Sequence, residues 1–162
     1  MKIILIDNSQ KQFDGNSRNL PHLRGAELAL INYAEELALI NHKVTVLNNC
    51  SNNCVINNVE YINLNKINHK PICDIAIVNS DANYFRFVNS KKNFLLSHSI
   101  QNLEKFIRHN QLLAFIKYKP IVLCFSNYHF NKRSLITSLF GKKIIIPSID
   151  NDYFTFDIKY QN

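Results

Sequence analysis

The chain has 162 residues, 46% of them apolar and 19% charged, and its 19 Lys+Arg against 12 Asp+Glu give a formal net charge of +7. That length holds one domain, and an ordinary apolar fraction with few charges excludes a disordered polyelectrolyte. No apolar run approaches the ~18 residues of a membrane span, and Lys2-Ile3-Ile4-Leu5-Ile6-Asp7 is too short for the apolar core of a signal peptide, so a cytoplasmic protein is expected.

Lys2-Ile3-Ile4-Leu5-Ile6 reads as a buried strand that stops at polar Asp7-Asn8-Ser9. Residues 7–24 then make a long polar loop with Gly15 and Pro21, the kind that is either functional or a mobile surface excursion. Leu28, Ile31, Ala34, Leu37, Ala38 and Ile40 recur at helical spacing behind Gly25, and Val44, Val46 and Leu47 form the next strand. Strand, loop, helix, strand is one βαβ unit, whose loop and helix start lie at the carboxyl end of the first strand.

Residues 48–58 read as turn, and Val59-Glu60-Tyr61-Ile62-Asn63-Leu64 as a short strand at a sheet edge. Cys73 to Val78 is an apolar strand closed by Asn79-Ser80-Asp81, followed by a short helix from Ala82 to Val88. Phe94-Leu95-Leu96 is the next strand, ending at Ser97-His98-Ser99. A helix-like set over 100–118, interrupted by polar residues, closes before Pro120. Ile121 to Phe125 is a strand ended by Ser126-Asn127, a helix follows from Tyr128 to Leu139 with Gly141 as its cap, and Lys143 to Ile146 is the last strand. Continuous Ile/Val/Leu runs mean strands covered on both faces, which predicts an α/β fold with a doubly wound parallel sheet.

Four cysteines, Cys50, Cys54, Cys73 and Cys124, lack the second close pair or His pair that zinc would want, so reduced thiols are expected and no metal. The basic residues are scattered, without a nucleic-acid-binding signature, and nucleic acid is not an expected partner. Asn is abundant throughout and is discounted as a compositional habit.

Arg24-Gly25-Ala26-Glu27, the helix, and then Asn41-His42-Lys43-Val44-Thr45-Val46-Leu47 resemble the opening of the family 4 glycosyltransferases, where a Gly-Gly-Ala-Glu loop precedes a helix and a Gly-His-Glu-Val-Thr-Val-Leu strand entry. Arg24 stands where that family has its first glycine, and Asn41 where it has the glycine after the helix. Lys143-Ile144-Ile145-Ile146-Pro147-Ser148-Ile149-Asp150 with Tyr153-Phe154 is similar to the family's Val-Ile-Pro-Asn-Gly-Val-Asp segment and trailing Phe. The resemblance spans the chain and implies the Rossmann-like amino-terminal, acceptor-side half of a GT-B architecture over residues 1–150, with 151–162 as the start of an interdomain linker. The carboxy-terminal domain, which in the family holds most of the sugar nucleotide, is not encoded in this sequence.

The implied activity is transfer of a sugar from a nucleotide-sugar co-substrate to a saccharide or lipid-linked acceptor in polysaccharide biosynthesis, incomplete alone. The alternatives are a non-catalytic subunit that recruits a separately encoded donor-binding domain, and a truncated remnant. Arg24, Gly25, Ala26 and Glu27 at a helix start suit a departing diphosphate, through backbone N–H groups and a guanidinium. His98, just past a strand and near neutral pKa, is the candidate catalytic residue, as base or as donor to a sugar oxygen. Asn79, Ser80, Ser97, Ser126 and Asn127 end the neighbouring strands and are candidates for acceptor hydroxyls, or caps of the helices that follow. His42 reads as structural, and His22, His69, His109 and His129 have no partner visible in the sequence. Basic and aromatic residues interleave at Phe85-Arg86-Phe87, Lys91-Lys92, Lys105-Phe106, Arg108 and Lys117-Tyr118-Lys119. The resemblance makes these a docking surface for anionic lipid at the inner face of the membrane; read alone they are an ordinary solvated face.

Overall fold

The structure, a computed structural model, describes residues 1–20, 23, 25–98 and 103–145. Arg24, Ser99 and the whole tail from Ile146 onward, including Tyr153 and Phe154, lie outside the described residues.

In chain order the strands and α-helices are β1 (Lys2–Ile6), α1 (Gly25–Leu39), β2 (Lys43–Asn48), β3 (Cys54–Ile56), β4 (Val59–Asn63), β5 (Ile72–Asn79), β6 (Asn89–Ser97), α2 (Leu103–Arg108), α3 (Gln111–Tyr118), β7 (Ile121–Cys124), α4 (Asn127–Lys132) and β8 (Lys142–Ile144). Short 3-10 turns occupy Gly15–Asn19, Leu64–Lys66, Ala82–Phe87 and Ile136–Ser138. The eight strands form one sheet in the order β3-β4-β2-β1-β5-β6-β7-β8. Every pairing is parallel except β3 with β4. The fold is therefore α/β with a mixed, mostly parallel sheet, where the sequence predicts a wholly parallel one.

Strand β1 shows why both faces are covered. Its side chains alternate, so Ile4 and Ile6 join one apolar cluster with Val78, Phe85, Phe106, Phe115 and Val122. Ile3 and Leu5 join the other, against Leu30, Ile31 and Ala34 of α1. All four side chains are at most 2% exposed, and burying each contributes roughly 1.5–3 kcal/mol. The near-continuous apolar spelling of β1 is the direct consequence.

Five expectations need correcting. Residues 48–58 are not all turn: β3 lies within them and makes a hairpin with β4 through Asn57 and Asn58, both at positive φ as a two-residue loop of this hand requires. That hairpin puts β4 inside the sheet rather than at its edge. The helix expected over 100–118 is two, because Asn110 between α2 and α3 is left-handed. The helix expected to run to Leu139 ends at Lys132, since Arg133 is extended (φ −71°, ψ 130°). Strand β6 is longer than its apolar part, and its polar first half, Asn89 to Asn93, pairs with β5 all the same.

The loop after β1 is anchored rather than a free excursion over its described part. Phe13 is 2% exposed, and the backbone carbonyl of Phe13 accepts from Asn48 Nδ2 at 2.7 Å. Asp14 caps the following 3-10 turn, and Arg18 pairs with Glu35 of α1.

Candidate functional site

Leaving β1, the chain builds β2, β3 and β4 to one side, then crosses back and builds β5 to β8 on the other. The direction reverses between β1 and β5. In open α/β sheets ligands bind beyond the carboxyl ends of the strands at such a reversal. The residues standing there are Asp7, after β1, and Asn79, the last residue of β5.

Both are buried, Asp7 at 1% exposure and Asn79 at 5%, so their polar atoms need partners. Asn79 Nδ2 donates to Asp7 Oδ2 at 2.5 Å, and the backbone N–H of Ser9 donates to Asp7 Oδ1 at 2.7 Å. Asn79 Oδ1 lies 2.7 Å from His98 Nε2. His98, one residue past β6, keeps part of its surface in solvent while its ring packs, tilted, against Phe125 at 4.7 Å between centroids. Packing around the ring holds the imidazole below its ordinary pKa, because burial disfavours the charged form. Asp7 and Glu27 pull it up and His129 adds to the depression.

A second chain of contacts adjoins the first at the ends of β6 and β7. Ser97, 2% exposed, accepts a hydrogen bond at Oγ from Arg133 Nη1 at 2.6 Å and lies 3.4 Å from His129 Nε2. Arg133 Nε also donates to the Thr137 carbonyl at 2.9 Å. The guanidinium is 3% exposed, and desolvation pushes its pKa down to about 10. No carboxylate pairs with it among the described residues, and its Nη2 has no hydrogen-bond partner there.

The sequence-selected residues divide accordingly. Asn79, Ser97 and His98 converge at the carboxyl edge, and Ser80 follows Asn79 with a positive φ of 62°. Ser126 spends its hydroxyl as the cap of α4, accepting from the His129 N–H at 3.1 Å, and Asn127 opens that helix exposed to solvent. Gly25 begins α1 in open space, since a Cβ there would meet nothing within 4 Å. Ala26 beside it is half-buried, while Glu27 is 5% exposed and turned inward, its charge felt at His98. Arg24 lies outside the described residues.

Asp7, His129 and Arg133 were not selected from the sequence. Asp7 had a usable signal, since it ends its strand at the same level as Asn79. His129 and Arg133 come close to Ser97 only because α4 folds back on the sheet, which no local pattern announces.

Of the interleaved aromatics, Phe85 and Phe106 are core residues at 1% and 0% exposure. Phe87 is half-buried beneath the Arg86 guanidinium, 4.9 Å from its ring centroid. A cleft of about 370 Å³ lined by Lys2, Thr45, Glu60 and His69 opens away from this edge and holds none of the selected residues. Among the described residues no three His, Cys, Asp or Glu side chains gather as metal ligands would, and no helix is long and apolar enough to cross a membrane.

The edge can therefore offer a neutral imidazole, the Ser80 hydroxyl and an open helix start to a polar ligand. No protein-family model matches the sequence, and neither a curated protein nor a solved structure matches it.

Proposed function

We propose that this chain is the acceptor-side, Rossmann-like domain of a GT-B glycosyltransferase similar to family 4, working on a nucleotide-sugar donor and a saccharide or lipid-linked acceptor. The observation that carries the reading is the position of His98: past β6, partly open to solvent, and linked through Asn79 to Asp7 at the sheet reversal. In this role His98 accepts the proton of the attacking hydroxyl or donates to a sugar oxygen. The uncrowded start of α1 at Gly25 leaves room for a diphosphate against backbone N–H groups, with Arg24 as the added cation. The donor-side wall of the crevice then comes from a second domain or a separate chain.

The subunit reading, in which this domain recruits a donor-binding partner without catalysing anything, is favoured by one further observation. Leu113, Leu135 and Leu139 are exposed at 80%, 83% and 67%, and a partner packed on this part of the chain would cover them. Tyr153, Phe154 and Phe156, which the sequence also offers for such a contact, lie outside the described residues. Anionic lipid at the inner membrane face remains a proposed partner of the exposed Arg86, Arg108, Lys117 and Lys119.

Calorimetric titration of the purified protein with nucleotide sugars and free nucleotides tests the proposal. Binding by the chain alone makes it a donor site in its own right. Binding only in the presence of a co-purifying donor-domain partner supports the divided crevice, and no binding in either preparation removes the glycosyltransferase reading.

A further inference from the structure

The contacts around Asn79 settle more than its own orientation. An ionised carboxylate only accepts hydrogen bonds, so the Asn79 atom 2.5 Å from Asp7 Oδ2 must be the amino nitrogen. The reversed amide would set two acceptor oxygens at that separation inside a buried site, which is strongly repulsive. The other Asp7 oxygen is occupied by the Ser9 N–H at 2.7 Å, so the carboxylate is held from both sides and cannot turn away. Asn79 therefore presents its carbonyl oxygen to His98, and a carbonyl oxygen at 2.7 Å from Nε2 requires a proton on Nε2.

In a neutral imidazole with Nε2 protonated, Nδ1 is a bare lone pair. Nδ1 carries no hydrogen bond to any described residue, the residue is partly open to solvent, and Phe125 steadies the ring. The groups that set the charge of this ring come from three different elements: Asp7 after β1, Glu27 of α1 and His129 of α4. Burial outweighs the two carboxylates and keeps the ring neutral at neutral pH.

We propose that Asp7, acting through Asn79, is a positioning residue that locks His98 as the Nε2–H tautomer and leaves Nδ1 as a proton-accepting site for a ligand hydroxyl at the sheet reversal. Asn79 is then a positioning residue as well, its amide consumed by Asp7 and His98 rather than offered to a ligand. That the hydroxyl belongs to an acceptor sugar rests on the function proposed above; the tautomer does not, and it is read without any ligand.

Long-range proton–nitrogen correlation spectra of isotopically labelled, unliganded protein at neutral pH make the test, with His98 assigned by the signal lost in His98→Gln. The wild type is expected to show one protonated nitrogen at Nε2 and one bare nitrogen at Nδ1. Asn79→Ala removes the acceptor, and Asp7→Asn frees the amide to turn over; each is expected to convert the single pattern into an averaged mixture. A proton on Nδ1 in the wild type overturns the proposal outright, so it stands testable even where a variant fails to fold. A wild-type tautomer retained in either folded variant removes the positioning role of that residue. Failure of the nucleotide-sugar titration with the tautomer intact would count against the proposed reaction and leave this inference in place.

Discussion

Arg133 Nη1 donates to Ser97 Oγ at 2.6 Å, which ties the chain just after α4 to the last residue of β6. The same guanidinium reaches the Thr137 carbonyl, and these two bonds draw the side chain inward at the point where the helix stops. Holding a cation at 3% exposure without a carboxylate is costly, and its pKa, depressed to about 10, records that cost. The two bonds and the packing offset it. Arg133→Ala, which strands both acceptors and empties the space, is expected to lose about 2–4 kcal/mol in urea unfolding. Arg133→Lys keeps the charge but cannot reproduce both bonds, and should lose roughly half as much. Unfolding of Arg133→Ala at the wild-type midpoint would show that the guanidinium is a passenger.

His98 gives a pH dependence whose sign follows from its depressed pKa. The unfolded chain binds the proton near the ordinary value of 6.5 and the folded chain binds it only at lower pH, with burial the leading cause. Between the two values the unfolded state holds more protons, so stability is full above about pH 6.5 and falls as the pH drops through the folded value. Asp7, Glu27 and His129 act on the same ring and are unchanged in a His98→Gln variant. The urea midpoint of that variant should decline less between neutral and mildly acidic pH than the wild-type midpoint does. An equal or steeper decline in the variant would contradict the depressed pKa.

Two glycines separate a packing role from a ligand role. A Cβ on Gly15 would sit 2.6 Å from Ile56 Cγ2 and 3.2 Å from Glu35 Oε1, in the anchored loop beside the Arg18–Glu35 pair. Gly15→Ala should therefore destabilise by roughly 1–3 kcal/mol through overpacking. Gly25→Ala meets nothing within 4 Å and removes a flexible residue from a helix, so stability should hold or rise by up to about 1 kcal/mol. If the proposed diphosphate contact is right, the same substitution weakens nucleotide-sugar binding about tenfold, equivalent to about 1.4 kcal/mol. Unfolding curves for both variants, with calorimetry on Gly25→Ala, distinguish the outcomes; unaltered affinity would take Gly25 out of the ligand site.

The strands were legible wherever both faces are buried, because β1, β2, β5 and β7 spell near-continuous Ile, Val and Leu. Strand β3 was not, since three residues with only the antiparallel β4 as partner and half-exposed side chains leave no such signature. The Asn residues set aside as compositional habit include three at positive φ, namely Asn57, Asn58 and Asn110, while Asn41, which stands where the resembling family has a glycine, takes the left-handed cap that reading allows. Asn is the residue that tolerates that conformation best after glycine, and the chain has only three glycines. His98 and Asn79 could be selected because strand ends advertise them. Their link to Asp7 depends on β5 lying beside β1, a neighbour relation set by sheet order across 72 residues of sequence.

Ser80 carries the last of these consequences. It holds φ at 62° without being Gly or Asn, directly after Asn79, where the Ser80 N–H donates to the Leu96 carbonyl at 2.9 Å. A left-handed serine costs about 1 kcal/mol or more, and the bond to β6 keeps it there. Ser80→Gly relieves that strain but adds backbone freedom to the unfolded chain and removes a hydroxyl 3.4 Å from Asn79 Oδ1. The expected net change is between zero and a gain of about 1 kcal/mol in thermal or urea unfolding, with the His98 tautomer retained because Asp7 still orients Asn79. A loss larger than about 1 kcal/mol would mean that the hydroxyl, not the backbone bond, holds the end of β5. Preserved stability with weakened acceptor binding would identify Ser80 as a contact for the ligand, kept in a strained conformation for that purpose.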